Sequence, residues 1–410
     1  MEISKKKALT KNATNLFFSG VFALTFANIL VKAFGLVSKI VLNRVVGSVG
    51  AGYYSSAYEI YAYLYVISTS GLPVALSIMV SKSRAKGRFK EAKKIFDIAF
   101  VVFLIIGVLF SSAMIVFSDE IASLIGATNT TLCIIAIAPT MLFICLSSCM
   151  RGYFQGYQLM QPTAISQLIE ASIKVGLGVV LAFWAKGKGY ADYKIAAYTV
   201  FGVTLGVLIG LVYLYTKKLF FNDDAHNTEY LHLENDECKS KGVILKELFQ
   251  IAIPITLSSS VLSLTTVLDT VMMQKRLIAF GMQETAIRIF YGDYTSLVIA
   301  MFNMPTVLFY PIANALVPLI SATHESDDDK KNEEIRSRSI RVINLISLPC
   351  AIGMSVFSYP ILDLLMFKQD SIQRASPWLS IAAVSIAFLG IISVTNAFLN
   401  TSGKQKLPII

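Results

Sequence analysis

Apolar runs of about 20 residues recur along the whole chain, and no other feature limits its folding so strongly. A run of that length, wound as a helix, crosses about 30 Å of hydrocarbon. Inside lipid every backbone amide must find a partner within its own segment or across a closed barrel, so only helices and barrels span. These runs lack the alternation of apolar and polar residues that a barrel strand requires. An all-α polytopic membrane protein of about 10 transmembrane helices is therefore expected. The spans fall at roughly 15–38, 53–81, 95–117, 131–150, 162–185, 195–216, 249–274, 292–321, 340–358 and 377–400.

Composition agrees: 55% of residues are hydrophobic and 15% charged, against about 25% charged in soluble domains. A secreted disulfide scaffold, a disordered chain and an ordinary cytosolic enzyme are excluded. The net charge of +10 does not point to nucleic acid, because the cations cluster between apolar runs instead of lining one face. With the N-terminus in the cytoplasm, the inner segments hold 24 Lys and Arg and the outer segments 10, a bias that supports this orientation and an even number of spans. The basic start, MEISKKKALTKNATN, leads into a long apolar stretch without a small-residue cleavage site, and reads as a retained first helix. Cys133, Cys145 and Cys149 share one apolar stretch without CxxC spacing and read as small buried residues, while His226 and His232 lie in an acidic loop. No metal site is expected.

An internal repeat at an offset of about 240 organises the chain. ALSIMVSKSRAKGRFKEA from Ala75 and ALVPLISATHESDDDKKNEE from Ala315 each close an apolar helix and open a charged amphipathic segment. Span 4 is followed by RGYFQGYQLMQPT and span 10 by AFLNTSGKQKLP, each a polar turn before a proline, Pro162 and Pro408. The expected division is a six-helix N-terminal lobe (1–216), a polar cytoplasmic linker (217–246) and a C-terminal lobe (247–410). This second lobe has four helices, so by symmetry it is incomplete.

Ionisable groups inside spans carry the functional signal, since each costs about 2.5–3.5 kcal/mol at the bilayer centre unless paired or wet. Glu170 and Lys174 stand four residues apart in span 5, acid first, spaced to pair along one face. Such a pair either neutralises itself between helices or walls a translocation cavity. Lys32 in span 1 either snorkels to the headgroups or lines the same cavity. Asp269 follows a stretch rich in Ser and Thr, and either holds Na⁺ or a proton or pairs with Lys275 or Arg276. Tyr54, Tyr58, Tyr61 and Tyr65 form one helical stripe beside Glu59, suited to sugars and to the headgroup interface alike. Gly202, Gly206 and Gly210 form a close-packing face in span 6. Pro73, Pro139, Pro254, Pro305 and Pro311 interrupt spans and create bends. No P-loop and no catalytic constellation is present.

GLPVALSIMVSKS (Gly71 to Ser83), RGYFQGYQLMQPTAISQLIEASIKV (Arg151 to Val175) and the Asp269 segment resemble the polysaccharide-biosynthesis and lipid II flippase branch of the multidrug, oligosaccharide-lipid and polysaccharide exporter superfamily, with the stage V sporulation protein B group most similar. The resemblance implies two helical lobes around a central cavity, alternating access, and movement of an undecaprenyl-diphosphate-linked saccharide from the inner to the outer leaflet. It places Lys32 where lipid II flippases tend to carry a basic residue, and Lys174 where this branch often has Arg; lysine keeps the charge but loses the bidentate fork. The expected substrate contacts are Lys32, Lys174, Glu170, Arg151, Glu59, Tyr58 and Tyr61, with Asp269 coupling transport to Na⁺ or a proton and no other cofactor. Partners are the lipid-linked saccharide, membrane lipids and envelope-synthesis enzymes. Two other readings stay open: a drug or cation antiporter, which would favour acidic cavity residues, and a non-transporting scaffold for envelope or spore-cortex synthesis.

Overall fold

A computed structural model describes the backbone of residues 2–221, 238–305, 309, 329–365 and 368–401; side chains before residue 30, and that of Lys32, lie outside the described set. Every regular element among these residues is helical. In order they are α1 (Glu2–Ala85), α2 (Phe89–Val116), α3 (Ser118–Ile125), α4 (Thr131–Gly156), α5 (Gln161–Gly187), α6 (Asp192–Leu219), α7 (Lys241–Ala279) and α8 (Glu284–Asp293). A π-helical turn (Tyr294–Val298) then leads to α9 (Ile299–Phe302), and α10 (Asp329–Val356), α11 (Ser358–Leu364), α12 (Gln369–Ala383) and α13 (Ser385–Thr401) follow.

The all-α polytopic architecture is as the apolar runs require. Seven of the described helices are long and apolar enough to cross a membrane, or eight when the pair α12 and α13, bent by 44°, counts as one span. The lower number has three local causes. Spans 1 and 2 lie on the one helix α1, bent at Gly47, whose φ of 76° breaks the helical ladder at a cost only glycine avoids, and the counted span covers Ala33–Ala85, past most of span 1. Span 10 is broken at Val384. The helix of span 8 ends at Asn303 among the described residues, and half of its expected length, with Pro311, lies outside them. Pro73, Pro139 and Pro254 sit inside helices as expected, joined by Pro349 and Pro377.

The chain forms two compact units. The first comprises residues 1–35 and 56–284, the second 36–55 and 285–410. In the first, α6 packs along α4 and α5, and α2 lies on α4. Its core joins Leu72, Leu76, Phe103, Cys149, Tyr153, Leu214 and Leu248, with no room for side chains at the crossings: a Cβ on Gly152 would meet the Pro73 carbonyl oxygen at 2.7 Å. Cys133, Cys145 and Cys149 are buried free thiols. At one end Lys218 Nζ lies 4.1 Å from the centre of the Tyr153 ring, and Tyr153 packs on Phe96 at 4.5 Å, a cation held on an aromatic cluster.

In the second unit α10 packs on α12 and α13. Leu297, Met301, Leu362, Ile372 and Leu379 form one apolar cluster; Phe309, Ile343, Ile386 and Val394 form another. The α1 segment 36–55 is pinned here: Lys39 Nζ donates to the Thr295 carbonyl at 3.0 Å and Arg44 to that of Leu365 at 2.6 Å.

Outward faces are apolar. Val101, Ile105, Val108 and Leu109 of α2 are exposed, as are Ile253, Leu257, Val261, Leu264, Leu268 and Met272 of α7. Such stripes at helical spacing are stable against lipid and not against water.

Candidate functional site

The site is built on α5, and the glycine face of α6 sets its position. A Cβ at Gly202 would lie 2.5 Å from Gly178 Cα, and one at Gly206 would lie 2.7 Å from the Glu170 carbonyl oxygen. The two backbones therefore touch, as small-residue faces permit, and α5 is left with a single position relative to its neighbours. Thr140 Oγ1 and Thr204 Oγ1, 2.7 Å apart, tie α4 to α6.

On that scaffold Arg151 of α4 reaches α5. Its Nη2 donates to Glu170 Oε2 at 2.9 Å and its Nε to Ser166 Oγ at 3.0 Å, while Ser166 Oγ donates to the Thr163 carbonyl at 2.8 Å. The side chains are 7% and 18% exposed, so the pair is largely desolvated. Removing one partner of such a pair costs about 3–5 kcal/mol, because the other charge stays buried. Lys174, one turn further along α5, donates from Nζ to the Tyr58 hydroxyl at 3.0 Å and sits 4.5 Å from that ring's centre. Tyr58 packs on Tyr61 with centres 5.5 Å apart, and Tyr61 on Tyr65 at 5.8 Å. Glu59 lies half-buried beside them on α1.

The structure thus brings Tyr58, Tyr61, Arg151, Glu170 and Lys174 into one network within the first unit, with two differences from the sequence expectation. Glu170 pairs with Arg151, not with Lys174. The reason is that α4 continues to Gly156, so Arg151 is inside the helix instead of in a cytoplasmic turn. The tyrosine stripe also divides: Tyr54 is buried in the second unit, and Tyr58, Tyr61 and Tyr65 belong to the first. Asp269 is exposed on α7 and makes no ion pair with Lys275 or Arg276 among the described residues. Lys32 lies outside the described side chains.

Sequence reasoning missed a second buried ion pair, in the second unit. Asp293, fully buried, accepts from Ser48 Oγ at 2.5 Å and from Arg374 Nε at 2.8 Å, and Ser48 and Ser371 hydroxyls are 2.9 Å apart. The carboxylate ends α8 where the π turn begins, an irregularity that often marks functional positions. Arg288, also fully buried, lies 5.9 Å from the Tyr53 ring centre. Asp293 stands at the edge of an apolar run and Arg374 in a polar segment, so neither registers as an intramembrane charge in the sequence.

Long apolar helices around a charged and tyrosine-lined network define an α-helical membrane protein with a buried polar site. Solved structures share the fold: an inward-facing multidrug resistance MATE family transporter of the MOP superfamily superposes with a TM-score of 0.75 at 14% identity, over 92% of this chain and 82% of that one. A MOP superfamily transporter from Pyrococcus furiosus gives 0.62 at 14% identity, over 94% and 83%. The chain belongs to the polysaccharide biosynthesis protein family, whose model matches residues 17–324, and within the MOP superfamily a MatE model matches residues 294–410. Among curated relatives, stage V sporulation protein B of Bacillus subtilis (strain 168) is 26% identical over 84% of this chain, which spans 65% of that protein's length. The lipid II flippase MurJ of the same organism is 25% identical over 95% of the chain and 74% of its own length.

Proposed function

We propose that this transporter moves an undecaprenyl-diphosphate-linked saccharide, such as a peptidoglycan precursor, across the bacterial plasma membrane by alternating access. The observation that carries the reading is Lys174 resting on Tyr58 inside a network of aromatic hydroxyls. A diphosphate oxygen carries negative charge, so it attracts the ammonium more strongly than the neutral Tyr58 phenol does; substrate exchanges for Tyr58, and the released tyrosines present rings and hydroxyls to sugar. Lys32 shares the diphosphate. Arg151 holds Glu170 and fixes α5, which leaves that carboxylate committed and disfavours a cationic drug as cargo. Asp269 biases the cycle through Na⁺ or a proton.

The N-terminus is cytoplasmic in this reading, on the bias of Lys and Arg toward the inner segments. Internal contacts take up cations on both sides of the count, Lys39, Arg44, Arg288 and Arg374 on the outer and Arg84, Lys94, Arg151, Lys218 and Lys239 on the inner, and leave the bias in place. The related sporulation and flippase proteins support a place beside envelope-synthesis enzymes. The test is flipping of lipid-linked disaccharide in proteoliposomes by a Lys32→Ala, Lys174→Ala double variant. A loss of at least about tenfold is expected; wild-type flipping by a folded variant refutes the phosphate assignment.

A further inference from the structure

A second charged site lies within the first unit, away from the Arg151 network. Where the end of α1 meets the starts of α2 and α7, a cavity of about 320 Å³ is walled by Lys82, Lys86, Arg88 and Lys239, with Glu91 and Glu247 between them. That volume is at the small end of the range for small-molecule sites.

Both carboxylates are engaged in the wall. Glu91, 2% exposed, accepts from Ser83 Oγ at 3.0 Å and from the Lys239 backbone N–H at 3.4 Å, with Arg88 Nη1 at 3.7 Å. Glu247 accepts from Lys239 Nζ at 2.6 Å. Lys82 and Lys86 are exposed and form no ion pair among the described residues. The cavity therefore has a fixed wall and two ammonium groups of uncompensated charge. Met79, Ile95 and Ile251 add apolar surface to its lining.

We propose that this cavity binds a phosphate-bearing anion: Lys82 and Lys86 take the phosphate oxygens, and Met79, Ile95 and Ile251 take a short apolar or glycerol portion. Two sources share this chemistry, the headgroup of an anionic phospholipid and a soluble phosphate. The site is separate from the proposed transport network, so its test does not depend on that reading.

The full chain is placed in nanodiscs of phosphatidylcholine and titrated in turn with dioctanoyl phosphatidylglycerol, inorganic phosphate and uridine diphosphate, with calorimetry as the readout. At least one probe is expected to bind. A Lys82→Gln, Lys86→Gln variant should weaken it by about tenfold or more, and Lys82→Arg, Lys86→Arg should retain it. Lys186→Gln, Lys188→Gln, which removes equal charge at the far end of α5, should change it by less than about twofold. Binding of the phospholipid alone assigns the membrane as the source, and binding of either soluble probe assigns the aqueous phase. The proposal fails if no probe binds, or if both Gln variants weaken binding alike, since that reflects net charge and not a site. If the Gln pair lowers the unfolding temperature, the Arg pair decides: loss of binding by a stable Arg pair also overturns it.

Discussion

Replacing Gly206 and Gly176 by alanine, one at a time, separates helix contact from helix propensity within the same pair of helices. A Cβ at Gly206 would lie 2.7 Å from the Glu170 carbonyl oxygen and 3.0 Å from the Lys174 backbone nitrogen, whereas nothing lies within 4 Å of one at Gly176. Both clashing atoms are backbone and cannot rotate away. Restoring an ordinary contact moves α6 from α5 by roughly 0.7 Å, and overpacking of this kind costs about 1–3 kcal/mol. Alanine also gains about 1 kcal/mol over glycine in a helix interior. Gly206→Ala is therefore expected to be destabilising by up to about 2 kcal/mol net and Gly176→Ala to be stabilising by about 1. Reversible unfolding in mixed micelles, followed by tryptophan fluorescence, measures the difference. Flipping adds a second readout, because the shift at Gly206 displaces Glu170 from Arg151 and Lys174 from Tyr58. Equal stability of the two variants would refute the close α5–α6 contact and the claim that α6 positions the site.

At the Asp293–Arg374 pair the two single variants should differ. Arg374→Ala strands a carboxylate with no solvent exposure and should cost about 3–5 kcal/mol. Asp293→Asn leaves an arginine that is 31% exposed and able to reach water; a smaller loss, measured in the same unfolding assay, is expected, and equal losses would contradict the burial asymmetry. For sidedness, a membrane-impermeant maleimide should label exposed Cys238 rapidly and leave buried Cys133, Cys145 and Cys149 unmodified. Labelling of Cys238 in inside-out vesicles but not in intact cells is expected; the reverse would overturn the assigned orientation.

The spanning helices were legible because lipid imposes one requirement, length with apolarity, on every segment. Glu170 and Lys174 were legible for the same reason: charge inside an apolar run stands out. What the sequence hides is partner choice. Arg151 looked like a cytoplasmic charge because apolarity fades at Met150, yet hydrogen bonding carries α4 on to Gly156. Asp293 and Arg374 are 81 residues apart and meet only through tertiary packing. Ser166 was within reach of inspection, since it precedes Glu170 by one helical turn and so shares its face. The segment between the expected spans 1 and 2 stays helical except at Gly47, where one residue's non-helical backbone bends the chain, and apolarity does not report that.

Residues 36–55 impose an order on biosynthesis. They leave the ribosome early, but Ser48 meets Asp293 across 245 residues of sequence. At about 5–20 residues per second, that interval lasts roughly 12–50 s. During this time Ser48, Asn43 and the bare glycine face at Gly52 have none of their final neighbours from 285 onward. It follows that a chain cut in the 217–246 linker and expressed as two halves can complete its second unit only if the first half is made in the same membrane.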